Sequence, residues 1–191
     1  SGRSNVGKIQ YVNQAQLNVG AFRTSGIDVA VDYTMDMDSL FSGAEGTLNF
    51  NLLYSYLIDL EQDVVLPTGV NTTDFKGTSG ASKHRWNSQL TYRNGPLTMS
   101  YSVRYIGKAE QFKGLTAIAP NYAMWNNIDR ETYHDIQVRY RFGDSEQYEF
   151  FAGINNVFGN MPHFLPQSFG PVTGCNSMCD TYDPYGRFIQ A

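Results

Sequence analysis

The sequence predicts an all-β chain that crosses a membrane as strands of an antiparallel up-and-down barrel, and three observations carry that reading. Apolar and polar residues alternate with a period of two over most of the chain. The alternating stretches are about 9–13 residues long, against a usual mode of about 5–6 in globular proteins. Mid-strand charge keeps to one parity within each strand: Asp28, Asp32, Arg85, Arg93, Arg104, Asp135, Arg139, Arg141 and Glu149. At about 3.3 Å rise and about 45° tilt, ten residues cover about 23 Å, close to a bilayer's apolar band. The charged parity then lines a lumen and the other meets lipid.

In chain order, Ile9 to Leu17 reads as a weak first strand rich in Gln and Asn, and Asn18 to Ser25 as a loop. Gly26 to Met35 alternates Ile27, Val29, Val31 and Tyr33 against Asp28, Ala30, Asp32 and Thr34. Asp36 to Glu45 is a polar connection. Gly46 to Ile58 sets Leu48, Phe50, Leu52, Tyr54, Tyr56 and Ile58 against Thr47, Asn49, Asn51 and Ser55. Asp59 to Ser82 reads as a long loop, His84 to Arg93 as the next strand, and Asn94-Gly95-Pro96 as a tight turn. Leu97 to Tyr105 follows, then a long loop from Gly107 to Glu131. Thr132 to Phe158 is a hairpin whose aromatic, uncharged parity includes Ile136, Val138, Tyr140, Tyr148 and Phe150, with Gly143 to Gln147 as its turn. Gly159 to Tyr185 is a third long loop, and Gly186 to Ala191 opens a last strand.

That makes roughly eight strands. Their connections alternate short and long, so one end of the sheet carries tight turns and the other long external loops. Tyr and Trp near strand ends, with Leu, Val, Ile and Phe between, match an interfacial girdle. His84 and His134 fall on the lipid parity near strand ends, positions that suit an interface better than catalysis. Backbone groups in lipid need closed pairing, which requires a barrel.

Composition narrows the function classes. The chain has 191 residues, net charge -4 and pI about 5.3, with no basic block, which argues against a nucleic-acid partner. Charged residues make up 17%, low for a soluble protein. No apolar run reaches the roughly 18 residues of a transmembrane helix. No Ser-His-Asp set, phosphate loop or zinc motif is present, so neither enzyme activity nor a cofactor or metal is expected.

Gly153-Ile154-Asn155-Asn156-Val157-Phe158, followed by Met161-Pro162, resembles the penultimate-strand motif of TonB-dependent outer-membrane receptors. Asn18-Val19-Gly20 with Thr24-Ser25-Gly26-Ile27-Asp28, Leu53 to Leu57, and Tyr182-Asp183-Pro184-Tyr185-Gly186-Arg187-Phe188 resemble further segments of that family, in order. The resemblance implies an outer-membrane receptor of a Gram-negative bacterium. It would take up a scarce, bulky solute (an iron chelate, cobalamin or an oligosaccharide) driven by an inner-membrane energy-coupling complex. Family members carry a plug domain inside barrels of about 22 strands. Residues 1–191 are therefore expected to be the C-terminal portion of a barrel, without plug or N-terminal strands. The implied partners are outer-membrane lipid, the plug, the coupling complex through the plug, and the solute. Two alternatives are a complete small eight-stranded outer-membrane barrel with a structural or adhesion role and a soluble lipocalin-like barrel, whose apolar parity would point inward.

Candidate site residues fall in three groups. Cys175 and Cys179 share one external loop; outside the cytoplasm such neighbours favour a disulfide over a metal pair, which would want further ligands. The lumenal Arg85, Arg93, Arg104, Arg139 and Arg141 include candidates to guide an anionic solute (Arg85, Arg104 and Arg139). The plainer reading pairs the set with Asp28, Asp32, Asp135 and Glu149 or with the plug. The loop aromatics Phe112, Tyr122, Trp125, Phe164 and Phe169 are candidates for substrate contact, or simply pack on one another.

Overall fold

The computed structural model describes residues 20–161, 182–183 and 185–190, and at position 125 the backbone alone. The expected strand Ile9 to Leu17, Phe164, Phe169, Cys175 and Cys179 lie outside the described residues.

Strand β1 (Gly20–Asp36) pairs along its whole length with β2 (Thr47–Leu66). Between them Met37–Ser39 forms a 3-10 turn, and Met37 N–H donates to the Gly46 carbonyl at 2.9 Å. Gly46 has φ +100°, and a side chain there would run into the Arg93 carbonyl, so only glycine fits this close approach. β3 (Gly69–Asp74) folds back on the far end of β2. β4 (His84–Asn94) pairs with the near half of β2, and the Gly95-Pro96 connection leads into β5 (Leu97–Ile106). The next connection contains β6 (Ala109–Glu110), helices α1 (Leu115–Ile118) and α2 (Ala123–Asn126), and β7 (Asn127–Ile128). β8 (Glu131–Phe142) and β9 (Tyr148–Asn155) form the hairpin, and β10 (Phe188–Gln190) pairs with β9.

The sheet order is β1-β2-β4-β5-β8-β9-β10, every neighbouring pair antiparallel, with β3 beside β2. Along that path each wall strand lies beside the next in chain order, as an up-and-down barrel wall requires, while β6 and β7 pair with each other in a separate two-stranded sheet. Among the described residues the wall is open: β1 and β10 each pair on one side only.

Two expected boundaries are corrected. Residues 20–25 belong to β1, not to a loop, because the facing 59–64 segment of β2 gives their backbone groups partners. Likewise 59–66 and 69–74 are strand, not loop. At Ser25/Gly26 the register skips Ile58. That bulge shifts the side-chain period by one, so the stretch beyond it breaks the alternation that ends at Ile58.

Among the described residues a conventional core is absent. The buried apolar cluster among the described residues is Ile106, Ala109, Ile128, Tyr133 and Tyr182, gathered at the long-loop end of β5 and β8. Val31, Tyr33, Phe50, Leu90, Met99, Ile136, Tyr140 and Phe150 instead stand exposed. A contiguous apolar sheet face of this size requires a partner medium, and lipid supplies it. The lipocalin alternative, with apolar residues inward, does not fit this arrangement.

The exposed face is banded. Toward the long loops, Trp86 stacks on Tyr105 at 5.5 Å and 11°. The Tyr54 hydroxyl meets His84 Nδ1 at 2.8 Å, the Tyr101 hydroxyl meets His134 Nδ1 at 2.6 Å, and His134 abuts Phe158 edge-on. Toward the short turns, Phe142 stacks on Tyr148 and lies beside Tyr140, while the Tyr92 hydroxyl donates to the Glu45 carbonyl. Leu52, Leu90, Val103 and Ile136 lie between. Two aromatic girdles around an aliphatic belt are what a bilayer selects. Beyond the bulge, charge appears on the outward parity: Arg23 bridges Glu61 at 3.1 Å and Asp63 at 3.2 Å, and Ser25 bonds Asp59. The outward face thus turns from apolar to ionic within one stretch of β2.

Candidate functional site

The opposite face of the same strands forms a polar wall. Antiparallel register aligns Asp32, Asn51, Gln89, Ser102 and Asp135 across five strands. Adjacent rows hold Thr34, Asn49, Thr91, Ser100 and Gln137, and Asn87 beside Arg104. A cavity of about 690 Å³ lies against this wall, lined among others by Asn51, Gln89, Arg104, Asp135, Asn155 and Asp183. The side chains are tied together locally. Asn49 donates to Asp32 and Thr34, and Asn51 donates to the second Asp32 oxygen at 3.1 Å. Thr91 and Ser100 share a hydroxyl bond. The wall offers amide, hydroxyl and carboxylate groups to a polar solute, with a fixed geometry set by the ladder.

The arginines divide. Arg139 and Arg141 both bridge Glu149, at 3.3 and 3.0 Å, as the pairing reading expects. Arg104 instead lies over the Tyr133 ring, 4.7 Å from its centre, a cation–π contact. Arg85 donates through Nη2 to the Gly80 carbonyl, while its Nε is buried without a partner among the described residues. The expected pairing of these arginines with Asp28, Asp32 and Asp135 is therefore corrected: Asp32 is taken by Asn49 and Asn51, and Asp135 accepts the Asn156 N–H at 2.7 Å. Two asparagine side chains claim the Asp32 carboxylate, and a backbone N–H claims that of Asp135.

A latch closes one end of the wall. Asn156, with φ +51°, donates through Nδ2 to the Asn160 carbonyl and to Asp183, and accepts the Asn160 N–H. Asp183 N–H in turn meets the Tyr133 hydroxyl. This fixes residues 182–183 over the wall and buries Tyr182. Burial, with Tyr133 adding to it, pushes the Tyr182 phenol up to about 12. Its hydroxyl has no partner among the described residues, like Arg85 Nε nearby. Asn156 and Tyr182 were quoted above for their resemblance alone. Two adjacent asparagines closing a strand were the only local sign of a turn cap.

Of the loop aromatics, Phe112 is half-buried, its N–H held by Asn126 Oδ1, and Tyr122 is exposed. The backbone of Trp125 lies in α2. The structure does not bring Phe112 or Tyr122 to the polar cavity, whose lining includes neither.

No curated protein and no solved structure gives a match to this chain. The family model described as TonB dependent receptor-like, beta-barrel, matches residues 2–157. That span takes in β1 to β9 and the asparagine pair that begins the latch, and the chain belongs to the TonB-dependent receptor-like β-barrel family.

Proposed function

We propose that residues 1–191 form the C-terminal portion of the barrel of a receptor in a Gram-negative outer membrane. The receptor imports a scarce, bulky solute: an iron chelate, cobalamin or an oligosaccharide. Members of this family are outer-membrane receptors and transporters, and the energy for uptake comes from an inner-membrane complex acting through a plug domain. The observation that carries the reading is the two-faced wall: an outward apolar belt between aromatic girdles, and an inward polar surface with a 690 Å³ cavity against it. Arg85 Nε and the Tyr182 hydroxyl, both buried and without a partner among the described residues, fit a contact with the plug, because buried polar atoms need partners. Arg104 and the loop residues Phe112, Tyr122, Trp125, Phe164 and Phe169 remain candidates for solute contact, and Cys175 and Cys179 for a disulfide that shapes the external loop. The trial is uptake of labelled solutes of the three classes by cells with and without the receptor gene, each with the coupling complex intact or deleted. Uptake of one class that needs both supports the proposal. Uptake unchanged by loss of the receptor for all three classes overturns it.

A further inference from the structure

We propose that the cavity against the polar wall takes a neutral, linear oligosaccharide rather than an anionic chelate or a cobalamin; this rests on the receptor reading and names its solute class. The hydrogen-bonding groups left over on the wall carry the inference. Register lines up Asn51, Gln89, Ser102 and Asp135 across four strands, and all four residues line the 690 Å³ cavity. Neighbouring strands lie about 4.8 Å apart, so the row presents a polar group at every step over about 14 Å. The side chains of Asn87, Gln89, Ser102 and Asn155, all on the cavity, make no hydrogen bond with a described residue. Each of these amides and hydroxyls can both donate and accept. A sugar hydroxyl does both as well, so a run of sugar rings along the row finds partners for its own groups and for the wall's. A solute without hydroxyls would leave those groups unpaired.

Charge decides against the anion. The ionic groups on the cavity are Asp135, Asp183 and Arg104, two carboxylates against one guanidinium, and Arg104 already lies over the Tyr133 ring. Arg139 and Arg141, further along the wall, are both bridged to Glu149. An anionic chelate would therefore meet a lining that is negative on balance, and like charge costs affinity. Shape decides against the cobalamin, whose amides ring a compact macrocycle instead of following a line. Two aromatic rings complete the fit. Tyr185 and Phe188 line the same cavity and are 87% and 52% exposed. An aromatic face packs against the C–H face of a sugar ring, leaving the hydroxyls at the ring's edge free to reach the amides. Asn87, Arg104 and Asn155 lie toward the long-loop ends of β4, β5 and β9, where a solute from outside the cell arrives first.

The test uses the full-length receptor, plug included, in detergent. The probes are neutral linear hexasaccharides of glucose, mannose, xylose and N-acetylglucosamine, with ferric citrate and cyanocobalamin as comparators. At least one hexasaccharide should bind, with an affinity that holds from low to high salt because no ion pair is involved. N87A/Q89A removes two amides from the wall and should weaken that binding roughly 10- to 50-fold. Tyr185→Ala should weaken it about tenfold, whereas Tyr185→Phe, which keeps the ring, should stay within about threefold of wild type. Tyr185 lies outside the strands, so this pair keeps the proposal falsifiable if the wall variant fails to fold. Failure of every hexasaccharide to bind, or binding of ferric citrate or cyanocobalamin that N87A/Q89A abolishes, overturns the solute class. Hexasaccharide binding untouched by N87A/Q89A and by Tyr185→Ala overturns the site and leaves the cavity to the plug. Failure of the receptor reading itself would show separately, as a protein absent from outer-membrane fractions.

Discussion

At Asn156 five hydrogen bonds meet in a residue that is 1% exposed and holds a left-handed backbone. Asparagine tolerates that conformation better than most side chains, and its amide both donates and accepts. Asn156→Ala removes the side-chain bonds, leaves the Asp183 carboxylate with the Tyr185 N–H alone, and keeps the strained φ. A loss of about 2–4 kcal/mol is expected in urea titrations of the receptor in lipid. Asn156→Gly should recover only the backbone part. An alanine variant as stable as wild type would show that the latch does not hold the wall. At the other end of the loops, the Lys113 ammonium holds the Asp74 carboxyl below its ordinary value, against a partial opposing effect of burial. A depressed carboxylate stabilises the fold above its unfolded value, 3.8, and loses that contribution as pH falls through its folded value. Asp74→Asn should therefore loosen residues 107–131 in hydrogen exchange at neutral pH. The difference from wild type should vanish in strong acid.

Single strands sort their residues between two solvents, and β2 shows the rule and its limit. Leu52 stands in the aliphatic belt beside Val31 and Ser88, whereas Asn51 stands on the polar wall beside Asp32 and Gln89. Leu52→Arg should cost about 2–4 kcal/mol near the bilayer centre, and Asn51→Arg much less. Equal costs in a lipid refolding titration would remove the inside–outside assignment. The alternation up to Ile58 was legible in the sequence because lipid and lumen demand opposite chemistry at successive residues. It stopped being legible at Asp59. The bulge moves the period by one, and Glu61 and Asp63 now carry charge on the outward parity, where Arg23 pairs with them. Above the girdle water reaches both faces, so hydrophobic period no longer marks a strand. Pairing with β1 and β3 does, and pairing is not visible in one segment alone.

The whole wall shows the same division between local and distant information. The lumenal arginines were legible from parity, but their partners were not, because Asp135 is claimed by Asn156 and Asn156 reaches Asp183 across 27 positions. Closure is the remaining question at this scale. β1 runs 17 residues and pairs only with β2 among the described residues. Its other edge presents alternate N–H and C=O groups, and each one left unsatisfied in lipid costs several kcal/mol, about 4–8 by water-to-hydrocarbon transfer. Pairing β1 directly with β10 would make a very small barrel, whose interior side chains must fill at about eight strands. The polar wall instead leaves a 690 Å³ cavity. The edges should therefore be continued by further strands of the native polypeptide. Residues 1–191 expressed alone should give no heat-modifiable, protease-resistant monomer in detergent, while the full receptor should. A compact, monomeric, resistant barrel from residues 1–191 alone would show that the two edges can meet, and would favour the small-barrel alternative.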